Sequence, residues 1–142
     1  MDADQFSRYL SHLDHPIQLT LEPNVTSLYM LYQEHMTRFA YSNIDLYMGA
    51  PVADLSVDSL LDELPVRGGH CIQHGELMYA ALVHLGFNVT RVAGRVLMGS
   101  EYKEGMALDH SFLLVKIDGA GTYMCDPGLA SATPRYLSKC HL

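Results

Sequence analysis

The 142-residue chain is 49% hydrophobic and 18% charged, an ordinary globular composition that allows one domain with a buried core. Its formal net charge is −7, and it contains no run of Lys and Arg, so we expect no nucleic-acid partner. The first residues are polar and acidic, and no apolar segment approaches the length of a membrane span. We therefore expect a cytoplasmic chain with no membrane partner.

The amino-terminal part of the sequence predicts two helices. Apolar residues at helical spacing indicate a first helix, which Asp2 or Asp4 caps and His15-Pro16 ends. Asn24 is expected to cap the second helix, whose apolar residues again recur at helical spacing. The side chains expected on the buried face of this second helix are Leu28, Leu31, Tyr32 and His35.

Two further helices are predicted after a connection over residues 38–55. Ser56 is expected to cap the third helix and Pro65 to end it. The fourth helix begins after Gly68-Gly69, and Gly86 stands where a left-handed residue commonly ends a helix. The buried positions expected in these two helices are Leu60, Leu61, Leu64, Leu77, Met78, Ala81, Leu82 and Leu85.

The remainder of the chain has the composition of strands. Residues 88–98 are rich in valine, residues 111–117 form a continuous apolar run, and residues 122–125 follow a glycine-containing turn. Helices followed by strands predict an α+β fold, with a helical bundle before an antiparallel sheet or barrel. We expect a helical subdomain over residues 1–86 and an antiparallel β subdomain over residues 87–142.

Cys71 is the first candidate for chemistry because it lies where the glycine pair meets the fourth helix. A thiolate is a far better nucleophile than a thiol, and the partial positive charge of a helix N-terminus stabilises it. Gly68 and Gly69 allow a tight turn beside the sulfur, and backbone N–H groups there can hold an oxyanion. A lone free cysteine is more often a small buried apolar residue, so this position needs partners to indicate catalysis.

His110 and Asp126 are the expected partners. His110 precedes one predicted strand and Asp126 follows the next, so an antiparallel hairpin makes them cross-strand neighbours. A carboxylate beside an imidazole fixes its tautomer, and the resulting imidazolium stabilises a thiolate. Either residue alone would be interpreted as structural, but the hairpin brings the two together.

Several motifs, in order, resemble the arylamine N-acetyltransferase family: RGGHC, LGF, AGRV, DHSFLLV and YMCDPGLA. FSRYL and SNIDLYMGAPV are similar to that family's N-terminal helix and its Asn-Leu-Asp stretch, so the resemblance covers essentially the whole chain. It implies a triad of Cys71, His110 and Asp126 on a cysteine-protease-like core. It also implies ping-pong transfer of an acetyl or other acyl group from coenzyme A to Cys71, and then to an arylamine, hydrazine or related amine.

The sequence departs from the family pattern around the substrates. Phe-Ala-Tyr-Ser-Asn at residues 39–43 stands where the family usually has Pro-Phe-Glu-Asn. The Asp-Val-Gly-Phe-Gly loop of the family is Asp-Pro-Gly-Leu-Ala at residues 126–130, where the resemblance implies that Gly128 and Leu129 contact the acyl donor. We therefore expect retained chemistry with altered substrate specificity.

The resemblance also bears on partners, because family members are considerably longer and carry a third α/β domain. Apolar surface left exposed where that domain packs would be covered by a partner. We expect a homodimer, or a complex with a second chain, that buries residues 135–142 and helps to close the pocket over Cys71. The alternative is a monomer whose tail folds back on its own sheet.

Other functions and residues stay open at this stage. The same triad suits a thiol hydrolase or an amide-forming enzyme, and an inactive binding homologue would need only an ordinary thiol at Cys71. The cysteines and histidines show no C-x-x-C or paired-ligand motif, so no metal is expected. Arg67 is expected to bond a buried carboxylate rather than a phosphate, and Cys125 is expected to be inert. The tyrosines predicted to be in the core are Tyr9, Tyr29, Tyr32 and Tyr79.

Overall fold

The computed structural model describes residues 1–13, 22–51 and 53–140, in which helices precede one antiparallel sheet. The elements in chain order are α1 (Ala3–His12), α2 (Val25–Arg38), α3 (Ile44–Tyr47), α4 (Val57–Arg67), α5 (Cys71–His84), β1 (Asn88–Gly94), β2 (His110–Ile117), β3 (Gly121–Cys125), a 3-10 turn (Ala130–Ala132) and β4 (Ser138–Cys140). The strand order is β1-β2-β3-β4, with antiparallel neighbours throughout. The predicted α+β class is confirmed.

The helix ends follow the predicted capping residues. Asp2 accepts a hydrogen bond from the Gln5 N–H at 2.8 Å, and the Gln5 side chain accepts one from the Asp2 N–H at 3.0 Å, so α1 begins with a capping box. Asn24 and Ser56 cap α2 and α4 through their side-chain oxygens. Helix α1 ends at His12, and the predicted stop at His15-Pro16 lies outside the described residues.

The predicted end of α4 at Pro65 is wrong, because the helix continues through this proline to Arg67. Proline removes one backbone donor, but the Gly68 N–H closes the last turn on the Leu64 carbonyl at 3.1 Å. The apolar face of α4 is buried in the core and stabilises the helix despite the lost hydrogen bond. Its buried side chains are Leu60, Leu61 and Leu64.

The connection predicted over residues 38–55 contains the short helix α3, which the sequence did not indicate. One turn of helix buries no side chain of its own, so it leaves no apolar periodicity to detect. Strand β1 also ends earlier than predicted, at Gly94, where the loop to β2 begins. Strand β4 is three residues long and was not predicted, since so short a segment shows no alternation.

Helix α5 packs against both β1 and β2 and ends as predicted at a left-handed glycine. Gly86 has φ +83°, and the N–H groups of Gly86 and Phe87 donate to the carbonyls of Val83 and Leu82, which is a Schellman motif. The predicted buried face of α5 is confirmed except that Leu85 is only half-buried. No helix in the described part of the chain is long and apolar enough to cross a membrane.

The tyrosines differ in their burial. Tyr9 and Tyr32 are fully buried, as predicted, and Tyr79 packs against the core while Arg91 lies over its ring. The prediction that Tyr29 is a core residue is wrong, because its side chain is exposed and stacks against the ring of Tyr136. Helical spacing alone did not separate the edge of the buried face of α2 from its centre.

Two histidines lie inside the core, where burial keeps them neutral. His35 and His74 have no exposed surface. Burial lowers the pKa of His35 well below its ordinary value, and the adjacent His74 lowers it further. Burial also lowers the pKa of His74, although hydrogen bonds to the backbone of Ala40 and Gly69 partly oppose this effect.

These two histidines predict a pH-dependent stability. In the unfolded chain both imidazoles bind protons near pH 6.5, whereas the folded pair stays neutral to lower pH. The free energy of unfolding should therefore fall as pH drops below 6.5, by up to about 1.4 kcal/mol per pH unit for each histidine. Urea unfolding between pH 5 and 8 measures this slope. His35→Gln should make it shallower, while His84→Gln, at an exposed histidine, is the matched control. An equal slope in all three proteins would contradict this prediction.

Candidate active site

Cys71 is the first residue of α5 and directly follows a turn that only glycine can form. Gly68 has φ +69°, and a Cβ atom on it would lie 2.3 Å from the Ala40 carbonyl oxygen. His70 caps the helix, and its N–H donates to the Gln73 side chain at 3.2 Å. Cys71 is therefore at the N-terminus of a helix, as the sequence predicted, where the first backbone N–H groups have no acceptor within the helix itself.

The glycine turn is joined to the chain segment that precedes α3. Gly69 forms an isolated parallel bridge with Tyr41, in which the Gly69 N–H donates to the Ala40 carbonyl at 3.1 Å. The Ser42 N–H donates to the Gly69 carbonyl at 2.8 Å. This bridge brings Tyr41 beside Cys71, and burial together with the charge of Cys71 raises the pKa of the Tyr41 hydroxyl.

His110 and Asp126 meet across the β2–β3 hairpin, as predicted. In the register, Leu113 pairs with Cys125 at the end of β3. Asp126 directly follows Cys125, and His110 comes three residues before Leu113, so His110 and Asp126 are diagonal neighbours across the hairpin. His110 Nε2 lies 2.7 Å from Asp126 Oδ2, and both side chains are almost completely buried. Because an ionised carboxylate only accepts, His110 donates its Nε2–H and keeps a free Nδ1.

Asp126 is held on two further sides. Its Oδ1 accepts a hydrogen bond from the Gly128 N–H at 3.3 Å. The Tyr32 hydroxyl lies 3.0 Å from the Asp126 carbonyl and 2.7 Å from the Pro134 carbonyl, so α2 anchors the loop that follows β3. The sequence placed Tyr32 in the core and gave no sign of this second role, since its partners lie about a hundred residues away.

Cys71 and His110 line one cleft of about 240 Å³. The other described lining residues are Tyr41, Val96, Met98, Asp109, Gly128, Leu129, Ala130 and Ala132. The candidate donor contacts Gly128 and Leu129 are thus in the cleft, and a Cβ atom on Gly128 would lie 2.6 Å from the Cys71 Cα. No Lys or Arg belongs to this set of described lining residues.

Other candidate residues have structural surroundings. Arg67 approaches Asp45 at 3.7 Å, and both side chains are exposed, so the predicted pairing with a buried carboxylate is wrong. The helix end leaves Arg67 on the surface, where such an ion pair contributes little. Cys125 is fully buried, and burial followed by the charge of Asp126 raises the pKa of its thiol, which supports its predicted inertness. In the described ranges no three His, Cys, Asp or Glu side chains form a metal-binding group.

Known proteins of one family are similar to this chain in sequence and in fold. A family model described as N-acetyltransferase matches residues 24–138, and similar curated proteins are arylamine N-acetyltransferases. The chain belongs to the arylamine N-acetyltransferase family. The enzyme of Mycolicibacterium smegmatis is 36% identical over 115 residues, which cover 78% of this chain and 42% of that protein. Human arylamine N-acetyltransferase 1 is 28% identical over 130 residues, covering 90% and 43% respectively.

Solved structures of the family are similar over nearly the whole chain. Arylamine N-acetyltransferase of Mycobacterium marinum superposes with a TM-score of 0.85 and 32% identity, covering 96% of this chain and 51% of that one. Its complex with CoA superposes with a TM-score of 0.83 at the same identity and coverage. The chain spans about two fifths of the length of its curated relatives and about half of these solved chains.

The contact of Gly128 with Cys71 gives a testable prediction. Gly128→Ala places a methyl group within 2.6 Å of the Cys71 Cα, so the loop or the start of α5 must move. We expect alkylation of Cys71 by iodoacetamide to slow by about tenfold or more, because small displacements at a reacting centre have large effects. Peptide mapping after timed alkylation measures this rate.

Gly75→Ala is the matched control for this prediction. Gly75 lies inside α5, and the nearest atom to an added Cβ is Ser111 Oγ at 3.8 Å, an ordinary contact. This variant should keep the alkylation rate and gain up to about 1 kcal/mol in the free energy of unfolding, from helix propensity. Equal alkylation rates in the two variants would contradict the proposed role of the Gly128 contact.

Proposed function

We propose that this chain is a cysteine-dependent acyltransferase that moves an acetyl or other acyl group from a coenzyme A thioester to an arylamine, hydrazine or related amine. The observation that carries the proposal is one cleft containing the Cys71 thiol at a helix N-terminus and a His110 imidazole fixed by Asp126. Membership of the arylamine N-acetyltransferase family supports the reaction, and the CoA complex of the Mycobacterium marinum relative supports the donor.

In the first half-reaction His110 acts as the base. Its free Nδ1 takes the thiol proton, and the Cys71 sulfur attacks the thioester carbonyl of the donor. Backbone N–H groups in the first turn of α5 stabilise the developing oxyanion. The proton then passes from His110 to the departing coenzyme A sulfur, which leaves Cys71 acylated and coenzyme A as the free thiol.

In the second half-reaction the amine attacks the carbonyl of acyl-Cys71. His110 accepts a proton from the amine nitrogen, the carbon–sulfur bond breaks, and the amide leaves with the Cys71 thiolate restored. Asp126 holds the imidazole in the required tautomer and stabilises the imidazolium in both halves. Gly128 and Leu129 contact the acyl donor, and Tyr41 stands beside the sulfur where the amine approaches.

The proposed core is cysteine-protease-like in its logic. A helix carries the nucleophile at its N-terminus and packs on an antiparallel sheet, whose hairpin supplies the histidine and the aspartate. The proposed division is into a helical subdomain over residues 1–86, which carries Cys71, and a β subdomain over residues 87–142, which carries His110 and Asp126.

A second candidate function is a thiol hydrolase or amide-forming enzyme using the same three residues. It is favoured by the lack of Lys and Arg among the described residues that line the cleft, since coenzyme A phosphates find no cation there. In such an enzyme water, or a different amine, would accept the acyl group from Cys71.

Formation of an acyl-enzyme tests the main proposal. Incubation with acetyl-CoA should add one acetyl group to the intact protein, because the His110 imidazole lines the same cleft as the Cys71 thiol. The adduct should be absent in Cys71→Ser and present in the control Cys140→Ser, as measured by intact mass. If no short acyl-CoA gives an adduct, the acyltransferase proposal fails, and the inactive binding homologue and the enzyme with a different acyl donor take its place. Where an adduct does form, the ratio of free acid to amide product, measured with and without an arylamine, separates hydrolysis from transfer.

We also propose that a second copy of the chain covers its exposed apolar surface. The most exposed large apolar side chains are Ile44, Tyr47, Met48, Val66, Met98 and Tyr136. Leu137 already packs against the core of its own chain, so Tyr136, and not Leu137, is available to a partner. Large apolar patches on a protein surface commonly mark such interfaces.

Light scattering tests the proposed dimer. At micromolar concentration the chain should have twice its own mass, and Tyr136→Lys should shift it toward the monomer by placing a charge in the interface. The exposed substitution Lys139→Arg, which keeps the charge, is the control. A monomer that forms the acyl-enzyme at full rate would overturn the proposed dimer, and a complex with a different chain would replace it.

A further inference from the structure

A chain of hydrogen bonds runs through the core from α1 to the back of the active-site cleft. The Tyr9 hydroxyl lies 3.1 Å from His35 Nδ1, and His35 Nε2 lies 3.1 Å from His74 Nδ1. His74 Nε2 lies 3.2 Å from the Ala40 carbonyl oxygen. All three side chains are completely buried, and they come from α1, α2 and α5 respectively.

The partners fix the direction of every bond in this chain. A carbonyl oxygen only accepts, so His74 must donate its Nε2–H to Ala40 and keep a lone pair on Nδ1. His35 then donates its Nε2–H to His74, and the Tyr9 hydroxyl donates to the remaining lone pair of His35. Burial keeps both imidazoles neutral by lowering their pKa, so each carries a single ring proton.

The chain ends on the bridge that shapes the site. The Ala40 carbonyl receives two hydrogen bonds, one from His74 and one from the Gly69 N–H. Gly69 in turn accepts from Ser42, and Cys71 follows only two residues later. His74 also lies one helical turn after Cys71 on α5, so it connects the nucleophile's own helix to the segment that holds Tyr41.

We propose that Tyr9, His35 and His74 are positioning residues that set the reactivity of Cys71. By donating to Ala40, His74 holds the bridge in place and with it the glycine turn before the sulfur. The imidazole of His35 and the hydroxyl of Tyr9 keep His74 in the tautomer that can donate. Importance for acyl transfer rests on the proposed function, whereas reactivity of the thiol is measurable without it.

An apolar core would fill the same space without the cost of burying two imidazoles, which indicates that their hydrogen bonds have a use. No described buried side-chain nitrogen or oxygen lacks a partner, so the chain is fully satisfied. Satisfied polar networks of this kind rigidify and specify a single arrangement. Here the network fixes the backbone of Ala40 and Gly69, which form the bridge before Cys71.

Two substitutions of His74 separate its donor from its acceptor. The amide nitrogen of His74→Gln reaches the position of Nε2 and can still donate to Ala40, but it loses the acceptor for His35. The amide oxygen of His74→Asn reaches the position of Nδ1 and can accept from His35, but it loses the donor to Ala40. The measured quantity is the rate of Cys71 alkylation by iodoacetamide at pH 7, in a Cys140→Ser background.

We expect His74→Asn to slow alkylation of Cys71 by about tenfold, and His74→Gln to retain most of the rate, because only the former releases the bridge. Equal rates in the two variants would overturn the proposal, since a residue that merely fills space has no preference between donor and acceptor. If alkylation separates the variants while acetyl-CoA gives no adduct, the positioning role stands and the acyltransferase proposal fails.

A spectroscopic measurement on the unsubstituted protein covers the case in which a variant does not fold. Nitrogen-15 NMR of labelled histidine distinguishes protonated from unprotonated ring nitrogens. Both His35 and His74 should carry hydrogen on Nε2 and a lone pair on Nδ1 at pH 7. A proton on Nδ1 of either ring would reverse the chain of hydrogen bonds and overturn the proposal.

Discussion

The site depends on the close approach of the glycine turn to the backbone at Ala40. A Cβ atom on Gly68 would lie 2.3 Å from that carbonyl oxygen, so no other residue fits without moving one of the two segments. The approach lets Gly69 pair with Tyr41 and starts α5 at Cys71. The start of α5, and with it the position of Cys71, depends on this contact.

The sheet supplies the other half of the site by a separate constraint. The β2–β3 register brings His110 to Asp126, and the Tyr32 hydroxyl of α2 donates a hydrogen bond to the Asp126 backbone carbonyl. Because α5 packs on β1 and β2, the two halves meet along one helix–sheet boundary. The contact of Gly128 with Cys71 then sets how closely they approach.

Local signals in the sequence predicted the elements whose causes are themselves local. The caps at Asn24 and Ser56 and the left-handed Gly86 were recognisable, and the cap of α1 was one of two candidates, Asp2 and Asp4, because each depends on a few neighbouring residues. The end of α4 was predicted wrongly because burial of its apolar face outweighs the proline. The position of Tyr29 was predicted wrongly because the width of a buried face depends on what packs against it.

The sequence by itself determined the candidate reactive groups: a cysteine after a glycine pair, and a histidine and an aspartate on one predicted hairpin. Hairpin geometry is short-range, so the proximity of His110 and Asp126 was predictable. Only the tertiary structure decided what surrounds them, including Tyr41 at the sulfur and Tyr32 behind the aspartate. The tertiary structure likewise decided the hydrogen bonds that join Tyr9, His35 and His74. These contacts join residues far apart in the chain, and their formation depends on packing that no local pattern records.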